Sequence, residues 1–298
     1  MTKREVAAED AGEHGHDAPR GSLYVVATPL GNLADLSDRA RATLANADRI
    51  LAEDTRVTGA LLRRCGIATR PSALHEHNEQ RRIGEVLAWL AAGERVVLAS
   101  DAGTPGISDP GARLVRAALA ASLRVVPVPG PSALAAMVSV AGLVAERFAF
   151  LGFLPSQAKA RRELLASVAS LPLALVCFEA PHRVRATVAA LREALGDERT
   201  LVVGRELTKL FEEVARLELG TADEWFAADA NRERGEFVLV VDAAERAGAP
   251  SAVDDATARW LAALLAEMPP SAAARVAAAA TGIPRDALYE RAVALKRN

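Results

Sequence analysis

Short apolar runs alternate with helical stretches along the first half of this chain. The runs lie in "LYVV", "RIL", "SAL", "RVVLA" and "RVVPV", although "SAL" is also compatible with a loop. Between them, apolar residues recur at the three- and four-residue spacing of an amphipathic helix. Ser37 is placed to cap the first helix and Gly66 to end the second. Alternating strands and helices predict a mostly parallel, covered sheet, in an N-terminal α/β domain over residues 22–146.

The pattern changes near Arg147, where the aromatic-rich run "RFAFLGFLP" begins a second predicted α/β domain, over residues 147–243. A basic helix follows, and then two strand–helix units, "LALVCFEAPHRVRATVAALREALG" and "RTLVVGRELTKLFEEVARLELG". The last strand is "GEFVLVVD". In the second of these units, Glu206 and Lys209 are predicted to lie three residues apart on one helical face.

The two ends of the chain differ in composition from these domains. Residues 1–21 are polar and are predicted to form a disordered tail. Residues 244–253 have the composition of a linker, and residues 254–298 are predicted to be a helical tail. In that tail Gly282–Pro284 separates two helices at the spacing of a helix-turn-helix motif. The alternative is a packed helical hairpin that binds no ligand.

Composition limits how this protein could bind nucleic acid and argues against disulfide-bonded, membrane-spanning and secreted proteins. The chain is 51% apolar, enough for sizeable cores, and its net charge of −2 means that any nucleic-acid binding depends on local basic patches. Cys65 and Cys177 lie far apart in apolar surroundings, which predicts buried thiols and no disulfide. No apolar run approaches a membrane span, and the N-terminus lacks the apolar core of a secretory signal. We therefore predict a cytoplasmic protein without membrane contact.

Three loops rich in proline and glycine follow predicted strands, in "TPLGN", "SDAGTPGISDPG" and "PVPGPSAL". They match neither of the glycine motifs that cradle phosphates, and their prolines lack the N–H groups that such a cradle needs. Open α/β sheets bind ligands at the carboxyl ends of their strands. We therefore interpret the loops as a rigid floor for a flat or apolar ligand; the alternative is that they only end strands.

These loops belong to a series of motifs in a fixed order: "YVVATPLGNLADLSDRA", "AEDTRVTGALL", "LHEHNEQRR", "SDAGTPGISDPG", "VVPVPGPSAL", "GFLP", "FEAPHR", "GRELTK" and "RGEFVLVV". In this series the chain, from about Ser22 to Asp242, resembles the small-subunit ribosomal RNA methyltransferases of the tetrapyrrole-methylase-like superfamily. The resemblance implies a two-domain α/β fold of the class III methyltransferases, with a helix-turn-helix-like C-terminal extension. It also implies S-adenosylmethionine as the cofactor, bound in the cleft between the domains, and a homodimer.

The reaction that this resemblance implies is methylation of a ribose 2′-hydroxyl on a cytidine in the decoding region of 16S ribosomal RNA, within the small ribosomal subunit. Two other functions stay open: a methylase of a small tetrapyrrole-like molecule, and a non-catalytic ribosome-binding protein with the same fold. An aromatic content of 4% is low for a protein that binds a large planar substrate. The intact Pro/Gly loops argue against a loss of catalysis.

Carried over motif by motif, the superfamily's cofactor contacts fall on the Pro/Gly loops and on the ends of the second-domain strands. The "SDAGTP" loop departs from the "GDP" of the tetrapyrrole-methylating relatives. The residues predicted in this way to bind the cofactor are Pro29, Asp101, Ala102, Gly103, Thr104, Pro105, Ile107, Ser132, Ala133, Phe178, Glu179, Arg205, Glu206 and Leu207.

Methylation of a ribose hydroxyl needs in-line placement and the removal of one proton. The predicted catalytic residues are Glu53 and Asp54 of "AEDTR", Glu206, and Lys209 if burial lowers its pKa. Asp101 and Glu179 are further candidates for the base. As alternatives, Asp54 caps the helix that follows it or pairs with Arg56, and Glu206 and Lys209 form a surface ion pair.

Residues predicted to contact the RNA lie in three places. Alternation along a strand would put His75 and His77 on one face, where a polar RNA contact by His75 and Asn78 is favoured over a metal site; no metal is predicted. A helix that begins at "EAPHR" favours an anion at its N-terminus. The alternative for the basic residues is that they are solvated side chains on helix surfaces and bind no RNA. The predicted substrate-binding residues are His75, Asn78, Lys159, Arg161, Arg162, His182 and Arg183.

Overall fold

The computed structural model of this protein describes residues 19–143, 147–243 and 255–297. Most of the predicted N-terminal tail and the linker over residues 244–253 therefore lie outside the described residues. The chain forms two compact units. Of the described residues, one unit comprises 19–143, 147–170 and 174–242, and the other comprises 171–173, 243 and 255–297.

The first half of the larger unit is a five-stranded parallel sheet with strand order β3-β2-β4-β1-β5. Apolar clusters cover both of its faces, around Ile50 and Val97 on one side and around Leu51 and Leu98 on the other. The prediction of a parallel, covered sheet is confirmed here. The strands are β1 (Ser22–Val26), β2 (Arg49–Ala52), β3 (Pro71–Ala73), β4 (Val96–Ala99) and β5 (Arg124–Val128). The helices are α1 (Asp38–Ala45), α2 (Thr55–Arg64), α3 (Glu79–Ala91), α4 (Ala112–Ala120) and α5 (Ala133–Val140).

The predicted helix boundaries in this half are confirmed where side chains cap the backbone. The Ser37 hydroxyl accepts a hydrogen bond from the Ala40 N–H at the start of α1. Gly66 follows α2 with a φ of +72°, a left-handed conformation that costs glycine little. Local residue chemistry is therefore enough to place these two helix ends.

The second half of the larger unit is a mixed sheet with strand order β6-β7-β10-β8-β9. Only β6 and β7 pair in parallel, and the other three pairs are antiparallel. The parallel pairing predicted for the first half therefore does not extend to this half. The strands are β6 (Phe148–Phe153), β7 (Ala174–Glu179), β8 (Thr200–Arg205), β9 (Glu213–Glu218) and β10 (Phe237–Val241). The helices are α6 (Ala158–Val168), α7 (Val184–Leu195) and α8 (Ala222–Ala227), with short 3₁₀ segments at Leu219–Thr221 and Ala230–Glu233; another 3₁₀ segment, Leu33–Asp35, lies in the first half.

The segment after β8 differs from its predicted helix. The chain turns sharply at Glu206 and Thr208, whose φ angles are +50° and +67°, and then forms β9 antiparallel to β8. Side chains along β9 alternate between half-buried and exposed, which is the period of a strand. Glu206 and Lys209 therefore lie in a turn and not on a helical face. The spacing of apolar residues in this segment favours a helix, but pairing with β8 makes it a strand.

Helix α5 joins the two halves. Its Met137 is fully buried in a cluster formed by the second sheet, beside Val202 and Val240. Gly204 of β8 leaves the space for this contact, since a Cβ there would lie 2.5 Å from the Met137 sulfur. The packing sets the strand ends of the first sheet beside the ends of the second-half strands, where a cavity forms.

The smaller unit is helical, as predicted. Helices α9 (Asp255–Glu267), α10 (Pro270–Thr281) and α11 (Arg285–Arg297) surround a core that includes Leu261 and Leu288. Gly282 ends α10 with a left-handed φ of +72°, so the break at Gly282–Pro284 is confirmed.

Both cysteines are free thiols. Cys177 is buried, whereas Cys65 is partly exposed. In the parts of the chain that the structure describes, no helix is long and apolar enough to cross a membrane.

Candidate active site

A cavity of about 370 Å³ lies between the two halves of the larger unit. Loops after β1, β4 and β5 form one wall, and the ends of β6, β7 and β10 with the turn after β8 form the other. The wall from the first half consists of Leu30, Asp101, Ala102, Ile107, Ser108, Asp109 and Ala133. The wall from the second half consists of Phe153, Phe178, Glu179, Ala180, Pro181, Leu207, Lys209, Glu236, Phe237 and Val238.

Hydrogen bonds join the three Pro/Gly loops into one rigid floor. Thr28 and Gly103 exchange two backbone hydrogen bonds of 2.8 and 3.0 Å. The Ser100 hydroxyl donates to the Gly103 carbonyl at 2.7 Å, and the Thr104 hydroxyl donates to the Pro131 carbonyl at 2.9 Å. Gly103 has a φ of +81°, and a Cβ there would lie 3.2 Å from a Leu30 methyl group. Glycine is needed because of both this conformation and this contact.

The predicted cofactor residues separate into a lining group and a supporting group. In the supporting group, Ser132 caps α5 at its N-terminus, and Arg205 pairs with Glu213 at 3.4 Å. The part of both groups in cofactor binding stays a prediction. Those that line the cavity are Asp101, Ala102, Ile107, Ala133, Phe178, Glu179 and Leu207. Those outside its lining are Pro29, Gly103, Thr104, Pro105, Ser132, Arg205 and Glu206.

Glu179 forms the most enclosed polar contact of the cavity wall. Its side chain is fully buried, and its carboxylate accepts hydrogen bonds from the Ala180 N–H at 2.8 Å and from the Thr187 hydroxyl at 2.6 Å. The Arg183 guanidinium lies 3.2 Å away and also donates to the Leu154 carbonyl. A carboxylate with these partners supports the wall and is poorly placed to take a proton from a substrate.

Lys209 stands at the centre of a second polar group. Its ammonium lies 2.9 Å from the carboxylates of Glu206 and Glu236. Burial alone would lower the pKa of Lys209, but hydrogen bonds to both carboxylates raise it overall. Burial alone would raise the pKa of Glu206, yet the bonds from Lys209 and from the Glu236 N–H lower it. The condition for Lys209 to act as a base, a pKa lowered by burial, is therefore not met.

The "AEDTR" acids lie beside the cavity and outside its lining. The Asp54 carboxylate accepts hydrogen bonds from the Arg56 guanidinium and from the Arg56 backbone N–H, the latter at 2.8 Å, which lower the pKa of Asp54 to about 2. This is the helix-capping arrangement given above as the alternative. The Asp54 N–H donates to the Asp101 carboxylate at 3.0 Å. Partial burial and the charge of Asp101 raise the pKa of the neighbouring Glu53.

Asp109 is a cavity residue that the sequence analysis missed. Burial, together with the negative charges of Glu53 and Asp101, raises its pKa to about 7. Within the part of the chain that the structure describes, it has no hydrogen-bond or ion-pair partner. The signal available in the sequence is its place in the same Pro/Gly loop as Asp101, as the second aspartate of "SDAGTPGISDPG".

The predicted RNA-binding residues all lie outside the cavity lining. Strand β3 ends at Ala73, so the prediction that His75 and His77 share a strand face is wrong; they lie in a turn, which sets their rings edge to face at 6.0 Å. The Asn78 side chain accepts from the His75 N–H and donates to the Ala73 carbonyl, which holds this turn. Among the described residues, no group of three or more His, Cys, Asp or Glu side chains could hold a metal ion.

The basic residues near α6 and α7 are accessible to different degrees. Lys159 is 85% exposed and lies 3.9 Å from Glu163, and Arg162 is also exposed. Arg161 donates to the carbonyls of Pro155 and Ser156. His182 is exposed, and it precedes Arg183 at the start of α7, as predicted. Lys159, Arg162 and His182 are therefore placed to meet a partner in solution.

The raised pKa of Asp109 predicts a pH-dependent stability. Its folded pKa of about 7 exceeds the unfolded value of about 3.9, so its contribution to stability is lost as pH rises from about 4 to about 7. A tenfold change in proton affinity is worth about 1.4 kcal/mol, and solvent around the partly exposed carboxyl reduces the total. We expect Asp109→Asn to raise the free energy of unfolding by about 1–2 kcal/mol at pH 8 and hardly at all at pH 4. Urea unfolding of both cofactor-free proteins measures this, and equal stabilities at pH 8 would contradict it.

The arrangement of two sheets with a cavity at the strand ends defines the class of this protein. In fold it is similar to the cobalamin biosynthetic enzyme cobalt precorrin-4 methyltransferase, CbiF, with a TM-score of 0.57 at 17% identity over 76% of this chain and 97% of that one. It is also similar to the methyltransferase CobJ, with a TM-score of 0.56 at 21% identity over 75% and 95%. The family model of the tetrapyrrole (corrin/porphyrin) methylases matches residues 22–223. The fold class is therefore that of the tetrapyrrole methylases.

Similarity in sequence is much higher to proteins named ribosomal RNA small subunit methyltransferase I. The protein of that name from Pseudomonas aeruginosa is 45% identical over 92% of this chain and 97% of its own length. Those from Xylella fastidiosa and Escherichia coli O157:H7 are 48% and 44% identical over 90% and 93% of this chain, and over 98% and 96% of their own lengths. The RsmI C-terminal HTH domain model matches residues 251–296. The chain belongs to the ribosomal RNA small subunit methyltransferase I family.

Members of this class use S-adenosylmethionine, which confirms the predicted cofactor. The cavity suits this molecule in size and chemistry. Phe153 and Phe178 lie edge to face, 5.8 Å apart, and offer an aromatic surface to a planar base. The carboxyls of Asp101 and Asp109 favour a positively charged sulfonium or ammonium group.

Proposed function

We propose that this protein transfers a methyl group from S-adenosylmethionine to the ribose 2′-hydroxyl of a cytidine in the decoding region of 16S ribosomal RNA. The observation that carries this proposal is the acid-lined cavity at the strand ends, in a chain that aligns over almost the full length of the small subunit methyltransferase I relatives. The same alignment favours ribosomal RNA over a tetrapyrrole as the substrate.

The chain contributes mainly placement to this reaction. S-adenosylmethionine supplies a methyl group that is already electrophilic because it is bonded to a positively charged sulfur. The Pro/Gly floor is held rigid by the Thr28–Gly103 and Thr104–Pro131 hydrogen bonds, so it can hold a ligand in one orientation with little loss of entropy. Bringing the ribose oxygen in line with the methyl group then lowers the barrier.

RNA contacts are proposed to come from basic side chains on α6 and in the helical unit. Lys159 and Arg162 are exposed on α6. Arg285, Arg291 and Lys296 are exposed on α11, which belongs to the segment matched by the HTH domain model. Such side chains bind the phosphate backbone in a salt-dependent way. A homodimer in the cytoplasm, acting on the small ribosomal subunit, completes the proposal.

The test follows tritium from labelled S-adenosylmethionine in reactions with small ribosomal subunits that lack this modification, with naked 16S RNA, and with a porphyrinogen. We expect label in the RNA, recovered after nuclease digestion as 2′-O-methylcytidine from the decoding region. Label in the porphyrinogen would replace this proposal with a small-molecule methylase. Cofactor binding without any transfer would favour the non-catalytic ribosome-binding function.

A further inference from the structure

The ionisable groups of the cavity differ in whether they already have partners. Asp101 accepts a hydrogen bond from the Asp54 N–H, and Glu179 accepts from the Ala180 N–H and the Thr187 hydroxyl. Lys209 and Glu236 bind one another. Asp109 is the remaining cavity-lining carboxyl, and in the described ranges it has no partner. Its lone pairs are therefore free to accept a proton or a hydrogen bond from a ligand.

The segment that carries Asp109 is stiff. Ser108 before it has a left-handed φ of +67°, and Pro110 after it has its φ fixed by the ring. Gly111 has a φ of +122°, and a Cβ there would lie 2.4 Å from a Leu98 methyl group, so the loop packs closely on β4. A carboxyl between such residues keeps its position in the wall, as a catalytic group must.

We propose that Asp109 is the catalytic residue that accepts the proton of the ribose 2′-hydroxyl, an inference that rests on the proposed function. The O2′–H bond breaks and the proton passes to an oxygen of the Asp109 carboxylate. The O2′–CH₃ bond forms as the CH₃–S bond breaks, and the electron pair of that bond stays on sulfur. Asp109 returns its proton to solvent before the next cycle.

The charge balance of this step suits the cavity. A carboxylate and a sulfonium disappear together and leave a neutral acid and a neutral thioether, which a poorly solvated site favours. The groups that face Asp109 from its own half of the unit are the acids Glu53 and Asp101, which with burial raise its pKa to about 7. Glu179, Lys209 and Glu236 belong to the opposite wall. A bound sulfonium adds an opposite charge and lowers this pKa again, so the carboxylate forms when it is needed.

Proton release on cofactor binding provides a readout that is independent of activity. Binding of S-adenosylmethionine to the full-length protein at pH 7 should release up to roughly half a proton from Asp109, because that group is about half protonated in the free protein. S-adenosylhomocysteine, whose sulfur is neutral, should release much less. Titration calorimetry in two buffers of different ionisation enthalpy measures this difference. Asp109→Asn should abolish it, and Glu193→Gln, an exposed change on α7, should leave it intact.

Single-turnover methylation of small subunits completes the test. We expect Asp109→Asn to reduce the rate roughly 10²–10⁴-fold while cofactor affinity changes only a few-fold, and Asp109→Glu to recover part of the rate. The wild-type rate should rise with pH up to the pKa of Asp109 in the complex, and the Asn variant should lose this rise. A near-normal rate in Asp109→Asn, or proton release that persists in it, overturns the inference. Wild-type protein that binds cofactor but methylates no RNA overturns the proposed function itself.

Discussion

Replacing Ala102 with Trp is expected to lower the affinity for S-adenosylmethionine by roughly 10–100-fold and to lower turnover with it. Ala102 lies in the loop after β4, lines the cavity and is exposed to it. A large ring there competes with the ligand for a volume of about 370 Å³. Overpacking a filled site costs about 1–3 kcal/mol, and each 1.4 kcal/mol is about tenfold in affinity. Titration calorimetry measures the change.

The matched control is Ala120→Trp. Ala120 is also exposed, but it is the last residue of α4, at the end of the helix away from the loop that carries Asp101 and Ala102. We expect this variant to bind the cofactor normally. If Ala102→Trp folds and binds as tightly as Ala120→Trp, the cofactor occupies some other part of the molecule.

Replacing Glu179 with Ala is expected to lower the free energy of unfolding by about 3–5 kcal/mol, the typical cost of breaking a buried ion pair by removing one partner. The change would leave the Ala180 N–H and the Thr187 hydroxyl without their acceptor, and Arg183 without its counter-ion. Glu179→Gln should cost less, because the amide oxygen still accepts one of these hydrogen bonds. Urea unfolding, followed by circular dichroism, measures the difference.

Glu163→Ala supplies the comparison for this prediction. Glu163 pairs with Lys159 at 3.9 Å on the exposed face of α6, and such pairs contribute about 1 kcal/mol or less. Similar losses from Glu163→Ala and Glu179→Ala would mean that the buried group is not a structural support. The catalytic role considered for Glu179 from sequence would then need to be reopened.

Much of this protein could be read from the chain because the information is local. Ser37 caps α1 by accepting a hydrogen bond from a residue three positions away. Gly66 and Gly282 end helices because each adopts a left-handed φ angle, which glycine tolerates. The Pro/Gly loops likewise predict a rigid floor at the strand ends, because the conformational preferences of proline and glycine are local. The order of the motifs also indicated the family, which the close relatives confirm.

Tertiary structure decided what depends on groups that are distant in sequence. The segment after β8 forms the strand β9 because it pairs with the edge of β8. Asp54 is paired with its neighbour Arg56, whereas the pKa of Asp109 depends on burial, on Glu53 from the end of β2, and on Asp101 of its own loop. Desolvation and charge act through space, so the sequence could indicate the candidate acids, but only the folded structure distinguishes the unpaired carboxyl from those already paired.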